Sequence, residues 1–304
     1  MNPPALSVPF VLLINPVAGQ GDGRRIGEEI EKALRALGAD YEYMMGSPEA
    51  GLVSQHPGQT VRQVLVVGGD GTLRGVAQGL VGQPVEVVMV PAGRGNDFAR
   101  MLGLPIGADP ESLWKSALTA TAPEAELIRS DVWECNGKVF INGAGFGFEA
   151  RVVAKMIGGR RSYYWQAARQ ALRWRPFTAD IHTDEGRMTC ELTNLSLMNG
   201  IFAGGGFRIA PLAKLDDGLL DFIAVGGMHP WEKAIYLPLV RRGAHLKLKG
   251  VTFCQVKEVR MVCDRELPWH VDGELMDSAR EFVITRRSET MLFRRPKPQT
   301  GAMA

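Results

Sequence analysis

Cysteine is scarce in this 304-residue chain, with four in all, at positions 135, 190, 254 and 263. None forms a CxxC pair, which excludes zinc ribbons and thioredoxin-type dithiols and points to the ordinary reduced thiols of a cytoplasmic protein. Long apolar runs are missing too. Val8–Ile14 and Val85–Pro91 are among the longest and fall far short of the ~20 residues that span a bilayer, so a peripheral membrane contact is the only kind expected. The first basic side chain is Arg24, so the start lacks the positive flank of a signal peptide. Charge of one sign is absent: 35 basic against 33 acidic side chains leave +2, which argues against bulk nucleic-acid binding. The histidines, His56, His182, His229, His245 and His270, show no HxxxH or HExxH spacing, and no zinc site is expected.

What is present is glycine, 36 of it, in a chain that is 45% apolar. That length suggests two domains or one large α/β unit, able to bury roughly three-quarters of its unfolded surface without disulfide or metal staples. The first third alternates apolar strands with amphipathic helices. Val8–Ile14 reads as a strand, and Ile26, Ile30, Ala33, Leu34 and Leu37 then recur at helical spacing until Gly38. Strands follow at Tyr41–Met45, Val61–Val67 and Val85–Pro91, with a helix through Leu73–Leu80. Such alternation predicts parallel strands whose ligands lie beyond their carboxyl ends.

After about residue 125 the texture changes to turn-separated strands. Ile128–Trp133, Lys138–Asn142, Ala179–Thr183, Met188–Met198, Leu219–Val225, Val251–Cys263 and His270–Val271 read as a mostly antiparallel second domain. Helices are expected over Glu149–Trp174 and Trp231–Leu248. Phe282–Thr285 is a last strand assignable to either domain, and Pro296–Ala304 reads as a tail. The predicted division is an α/β domain over 1–125, completed by 281–296, and a β-rich domain over 126–280.

The central motif is Gly68-Gly69-Asp70-Gly71-Thr72, directly after one strand and directly before a helix. Glycines there let peptide N–H groups approach an anion closely, and the helix N-terminus favours negative charge. The same residues also make an ordinary tight turn with Asp70 or Thr72 as N-cap. Two more loops of the kind follow the first and fourth strands, Asn15-Pro16-Val17-Ala18-Gly19 and Pro91-Ala92-Gly93-Arg94-Gly95-Asn96-Asp97. A P-loop is excluded, since no GxxxxGK[ST] occurs. A dinucleotide fingerprint fails because Gly19-x-Gly21 is followed by Arg24 at the place of its third glycine.

The order of NPxxG, GGDGT, PxGxxNDFAR, then Lys214-Leu215-Asp216-Asp217-Gly218-Leu219, then Val271-Asp272-Gly273-Glu274, resembles the bacterial diacylglycerol kinase-type lipid kinases, relatives of sphingosine and ceramide kinases. The likeness runs from about residue 8 to 295. It implies an N-terminal domain akin to NAD kinase and phosphofructokinase, a β-rich C-terminal domain and a cleft between. It also implies ATP held by Asn15, Pro16, Val17, Ala18 and Gly19, and by Gly68, Gly69, Asp70, Gly71, Thr72, Leu73 and Arg74. Arg94, Asn96 and Asp97 complete that set. The family usually has threonine where this chain has Arg94, whose guanidinium can pair with a phosphate oxygen. Ser47 is the nearest match to a further family threonine.

A magnesium ion is implied at Asp217, with carbonyls of Lys214 and Leu219; the bland alternative is a turn before a strand. Glu274 is implied as proton acceptor beside Asp272, with Asp70 as the alternative group acting on the hydroxyl or on magnesium, and an exposed Asp-Gly hairpin turn as the structural reading. Asn142–Phe148 is expected to line the cleft and Gly204–Arg208 to flank a lipid pocket. Val152–Arg175 holds six basic residues, no acid, and Tyr163, Tyr164, Trp165 and Trp174. That suits a headgroup-docking surface or a solvated helix with inward aromatics.

The expectation is therefore an ATP- and magnesium-dependent kinase of phospholipid metabolism. It would phosphorylate a lipid hydroxyl, diacylglycerol first, at a membrane surface, with no nucleic-acid partner and with a homodimer compatible. The rivals are an NAD kinase, whose Asn-Glu motif this chain lacks, and a nucleotide- or lipid-binding protein without turnover, which Arg94 keeps open.

Overall fold

The computed structural model describes residues 10–39, 41–46, 62–153, 174–226, 236 and 238–297. The chain divides into two compact units, one of residues 1–130 and 289–304, the other of residues 131–288.

The first unit is doubly wound. Its elements are β1 (Phe10–Ile14), α1 (Asp22–Ala36), β2 (Tyr41–Met45), β3 (Gln63–Gly68), α2 (Asp70–Leu80), β4 (Glu86–Pro91), α3 (Asp97–Met101) and α4 (Pro110–Thr121). The order β4-β3-β1-β2 is parallel throughout. β3 is buried along its whole length, as an inner strand covered on both faces must be. The core joins Leu12, Ile14, Leu65, Val67, Val88 and Val90 of the sheet to Ile26, Ile30 and Leu34 of α1 and Leu113 and Ala117 of α4. α1 ends as its sequence predicts, with Gly38 in the left-handed region (φ 63°). α3 and α4 fall in a stretch where the sequence analysis assigned no helix. α4 carries a full start signal, Asp109 accepting the Ser112 amide at 3.0 Å ahead of Pro110.

The second unit contains the second half of β5 (Glu126–Cys135), then β6 (Lys138–Phe140), β7 (Gly143–Gly147), α5 (Phe148–Val153), β8 (Phe177–Thr183) and β9 (Gly186–Met198). The short β10 (Phe202–Ala203) and β11 (Phe207–Arg208) pair with each other, and β12 (Leu220–Gly226), β13 (Val251–Val256), β14 (Glu258–Val271) and β15 (Glu274–Arg295) follow, the last continuing into the first unit from residue 289. The pairings within this unit are antiparallel. Its core sets Phe146, Trp269 and Phe282 together, with Phe146 and Phe282 edge to face at 4.8 Å. Such a pair contributes about 0.5–1.5 kcal/mol beyond its buried area.

One strand expectation is corrected, and two further segments prove to be parts of strands. Val251–Cys263 is two strands, not one, because the chain breaks at Lys257, whose amide donates to Asp184 at 2.8 Å. Asn142–Phe148 contains a fully buried strand, β7. Phe282–Thr285 is part of a 22-residue strand, whose Leu292–Arg294 segment pairs parallel with Glu86–Val88 in the first unit. There Phe293 packs on Phe98 at 4.7 Å, and Arg294 pairs with Glu86 at 2.9 Å. Ser47, most of the basic stretch 152–175, residues 231–235 and 237 and the last seven residues of the tail lie outside the described residues. The helix expected through Leu248 is instead helical over 238–242 and stops at Gly243 (φ 71°), with a separate 3-10 turn at His245–Lys247. Among the described residues, no helix is long and apolar enough to cross a membrane.

Candidate active site

The glycine loops of the first unit come together because strand register brings their starting points level. Ile14 pairs beside Val67, and Gly68 beside Pro91, so β1, β3 and β4 end side by side at the carboxyl edge. The Asn15 amide continues the ladder to the Val67 carbonyl at 3.0 Å, and the Ala92 amide to the Gly68 carbonyl at 2.8 Å. The loops then lock to one another. Asn15 Nδ2 donates to Thr72 Oγ1 at 2.8 Å, while Asn15 Oδ1 accepts the Val17 amide at 3.2 Å.

Glycine permits this contact. A Cβ on Gly69 would sit 2.8 Å from the Gly93 Cα, and one on Gly19 2.2 Å from the Ala92 carbonyl oxygen. Both meet backbone, which cannot swing aside as a flexible side chain can. The contact puts Asn15–Gly19, Gly68–Thr72 and Ala92–Asp97 on one patch.

α2 starts on that patch with Gly69 as N-cap in extended conformation. A glycine cap offers no side-chain oxygen to the first-turn amides, so the positive end of an 11-residue helix is presented without a built-in acceptor. Asp70 caps α3 instead of its own helix: its two carboxylate oxygens accept the amides of Asp97 and Phe98, each at 3.1 Å. Asn96 turns the third loop in the left-handed region (φ 54°), its side chain bonded both ways to Gly93 at 2.9 and 2.7 Å. Arg94 stands at the tip of that turn and is exposed, while Asn96 and Asp97 are buried. Leu73 and Arg74 are buried in α2, and Pro16, Val17 and Ala18 form the rim of the first loop, with Val17 78% exposed.

In the second unit, Val271-Asp272-Gly273-Glu274 is a two-residue hairpin turn. Val271 pairs with Glu274, and Asp272 (φ 47°) and Gly273 (φ 80°) are both left-handed, as a type I′ turn requires. Asp272 also anchors the turn. Its carboxylate accepts the amides of Asn142 and Gly143 at 2.9 Å and of Ile141 at 3.0 Å, and its own amide donates to the Gly143 carbonyl at 2.8 Å. Glu274, next along, is exposed.

Lys214, Asp217 and Leu219 lie on the connection into β12. Lys214 and Asp217 are exposed and Leu219 half-buried. Asp217 Oδ1 accepts the Leu219 amide at 3.1 Å, and buried Asp131 fixes the turn by accepting the Gly218 amide at 2.7 Å and the Arg286 guanidinium at 3.1 Å. Carboxylate and carbonyl oxygens are the donor types magnesium takes, so the chemistry of Asp217, Lys214 and Leu219 is compatible with that ion. Among the described residues, no three His, Cys, Asp or Glu side chains cluster. All four cysteines are free, and burial pushes the Cys263 thiol up to about 12.

One polar cluster escaped the sequence analysis. Glu149, at the start of α5, accepts Ser196 Oγ at 2.7 Å and Asn194 Nδ2 at 3.4 Å, and faces His270 Nε2 at 3.6 Å. Burial alone would push the Glu149 carboxyl up. His270, Ser196 and Asn194 outweigh it and hold the group below the usual carboxylate range. Nothing in the spacing of residues 149, 194, 196 and 270 announces this cluster, since antiparallel pairing of β7 with β9 and β14 assembles it.

A parallel α/β unit followed by an antiparallel β unit is an NAD kinase-like fold. Two family models match the chain: the diacylglycerol kinase catalytic domain over residues 9–130, and the YegS C-terminal NAD kinase beta sandwich-like domain over residues 144–284. A protein of Chromohalobacter salexigens named "Probable lipid kinase YegS-like" is 32% identical, over 70% of this chain and 70% of its own length. A diacylglycerol kinase of Mycobacterium tuberculosis is 28% identical, over 83% of this chain and 84% of its own. In fold, the chain is similar to the crystal structure of a diacylglycerol kinase from Bacillus anthracis, with TM-score 0.70 at 22% identity over 94% of this chain and 96% of that one. An NAD kinase from Archaeoglobus fulgidus solved with ATP shares the fold at TM-score 0.55 and 15% identity, over 95% of this chain and 94% of that one. The chain belongs to the diacylglycerol kinase-type, YegS-like family of lipid kinases and is a transferase.

Proposed function

We propose that this kinase transfers the γ-phosphate of ATP to the free hydroxyl of diacylglycerol, giving phosphatidic acid. The observation that carries the reading is the triple-loop patch: backbone amides, an uncapped α2 N-terminus and an exposed Arg94 all offer donors where a polyphosphate can lie. In this reading Asn15–Gly19, Gly68–Arg74, Asn96 and Asp97 shape the ATP cradle. Asn15 and Thr72 hold the first two loops together, Asp70 fixes the third by capping α3, and Arg94 pairs with a phosphate oxygen.

Magnesium would be held by Asp217 with the Lys214 and Leu219 carbonyls, and it supplies neutralisation of phosphate charge. Glu274 accepts the proton of the attacking hydroxyl. Asp272 is the less suitable base, because its carboxylate already serves three amides and holds the turn. Phosphoryl transfer asks mainly for alignment and charge neutralisation, so one exposed carboxylate beside a rigid turn suffices. The acceptor is expected at a membrane surface reached from the aqueous side.

The test is a lipid panel. Vesicles carrying diacylglycerol, ceramide, sphingoid base or phosphatidylglycerol are incubated with labelled ATP and magnesium, with NAD as a soluble acceptor. Labelled phosphatidic acid is expected; label in another lipid or in NAD would contradict the acceptor.

A further inference from the structure

His270 lies on β14 two residues before the Asp272-Gly273 turn, and its side chain is 7% exposed. Both ring nitrogens face fixed groups. Nδ1 accepts the Gly273 amide at 3.3 Å, so the neutral ring carries its proton on Nε2, which points at Glu149 Oε1, 3.6 Å away. Glu149 is itself held by Ser196 and Asn194, and the Glu149 amide donates to Asn194 Oδ1 at 2.8 Å. Gly145 leaves the room: a Cβ there would sit 2.4 Å from His270 Nε2 and 2.9 Å from Glu149 Oε2.

The turn is thus gripped from two sides. Asp272 fixes its first residue to residues 141–143, and His270 fixes the amide of its second. We infer that His270 and Glu149 are positioning residues that set the Asp272-Gly273 turn and through it the placement of Glu274. The inference rests on the reading of Glu274 as proton acceptor. A half-buried carboxylate facing Nε2 selects the tautomer whose Nδ1 lone pair meets the Gly273 N–H. Moving the proton to Nδ1, or adding one there, would set donor against donor. Among the described residues, the charged groups set beside His270 are Glu149 on α5 and, on its own hairpin, Asp272 and Glu274. β7 contributes Gly145, and β9 contributes the neutral Asn194 and Ser196.

The intact 304-residue chain tests this with His270→Asn, His270→Gln and Glu149→Gln. Asparagine can set an oxygen where Nδ1 lies and keep an acceptor for Gly273, whereas glutamine reaches the Nε2 position and does not. His270→Gln should lower kcat on diacylglycerol vesicles roughly 10- to 100-fold with KM for ATP unchanged, the scale of a displaced catalytic group. It should also speed hydrogen exchange at the Gly273 amide. His270→Asn should restore both, and Glu149→Gln should speed Gly273 exchange by releasing the tautomer. Equal behaviour of the asparagine and glutamine variants in both readouts overturns the inference.

Should the variants fold poorly, ring nitrogen NMR of the unmodified protein decides: protonated Nε2 with bare Nδ1 supports the inference, and the reverse tautomer overturns it. Glu274→Gln separates the two levels. Full turnover in that variant refutes the base assignment, while the Gly273 amide still reports whether His270 holds the turn.

Discussion

Replacing Gly69 by alanine tests the triple-loop patch most sharply. The backbone itself is no obstacle, since Gly69 has φ −108° and ψ −169°, a region alanine adopts freely. The only obstacle is the neighbouring loop, where the new Cβ would lie 2.8 Å from Gly93 Cα. Contact with backbone forces the two loops apart, and overpacking of this kind costs about 1–3 kcal/mol. If ATP needs both loops in register, the same energy appears in binding, and affinity should fall by roughly 5- to 150-fold. Gly79→Ala is the matched control. It lies in the same helix with nothing within 4 Å of the added Cβ, and it should stabilise α2 by up to about 1 kcal/mol. Calorimetric ATP titration with thermal melts reads both effects. Gly69→Ala binding ATP within twofold of the parent, with an unchanged melting temperature, would refute the packing argument.

Further outcomes follow from individual groups. Asp272→Asn keeps a residue tolerant of φ 47° but turns one oxygen into a donor facing an amide; stability should drop by about 1–3 kcal/mol in urea titrations, and no change would contradict the anchoring role. Arg94→Ala should raise KM for ATP while leaving thermal stability untouched, since the side chain is exposed; an unchanged KM would remove Arg94 from the cradle. Asp221 is buried beside Gln255, and burial pushes its carboxyl up to about 6. Ionisation of Asp221 therefore opposes folding above pH ~4, and the penalty is complete above pH ~6. Asp221→Asn should be more stable at pH 7.5 by up to about 3 kcal/mol, with the advantage vanishing below pH ~4. A pH-independent difference between the two proteins would exclude this linkage.

Much of the fold was legible because strong local signals and tertiary demand agree. The apolar run ending at Val67, with glycines directly after it, reads as an inner strand, and glycine at 38 can end α1 without strain. The three loops were legible as motifs, and their level ends follow from parallel pairing. The packing of Gly69 on Gly93 was not, because close backbone approach leaves no trace beyond glycine itself. α4 was readable from Asp109-Pro110 yet is only modestly amphipathic, and β7 was hidden because its glycines carry no period. The Glu149–Ser196–His270 cluster was illegible for a different reason. Its members are 47 and 74 positions apart and meet only when β7, β9 and β14 pair. Asp272 shows a mixed case: its turn was legible from the Asp-Gly dipeptide, whereas its anchoring to the amides of residues 141–143 was not, since those contacts lie about 130 positions away.

The measurement that bears most directly on the account is phosphate transfer from labelled ATP to diacylglycerol in vesicles, run in parallel for the parent chain and Glu274→Gln. Labelled phosphatidic acid from the parent, and turnover lower by roughly 100-fold or more in the variant, is the predicted result for loss of a general base. No labelled lipid from the parent, or equal turnover from the two proteins, would contradict it.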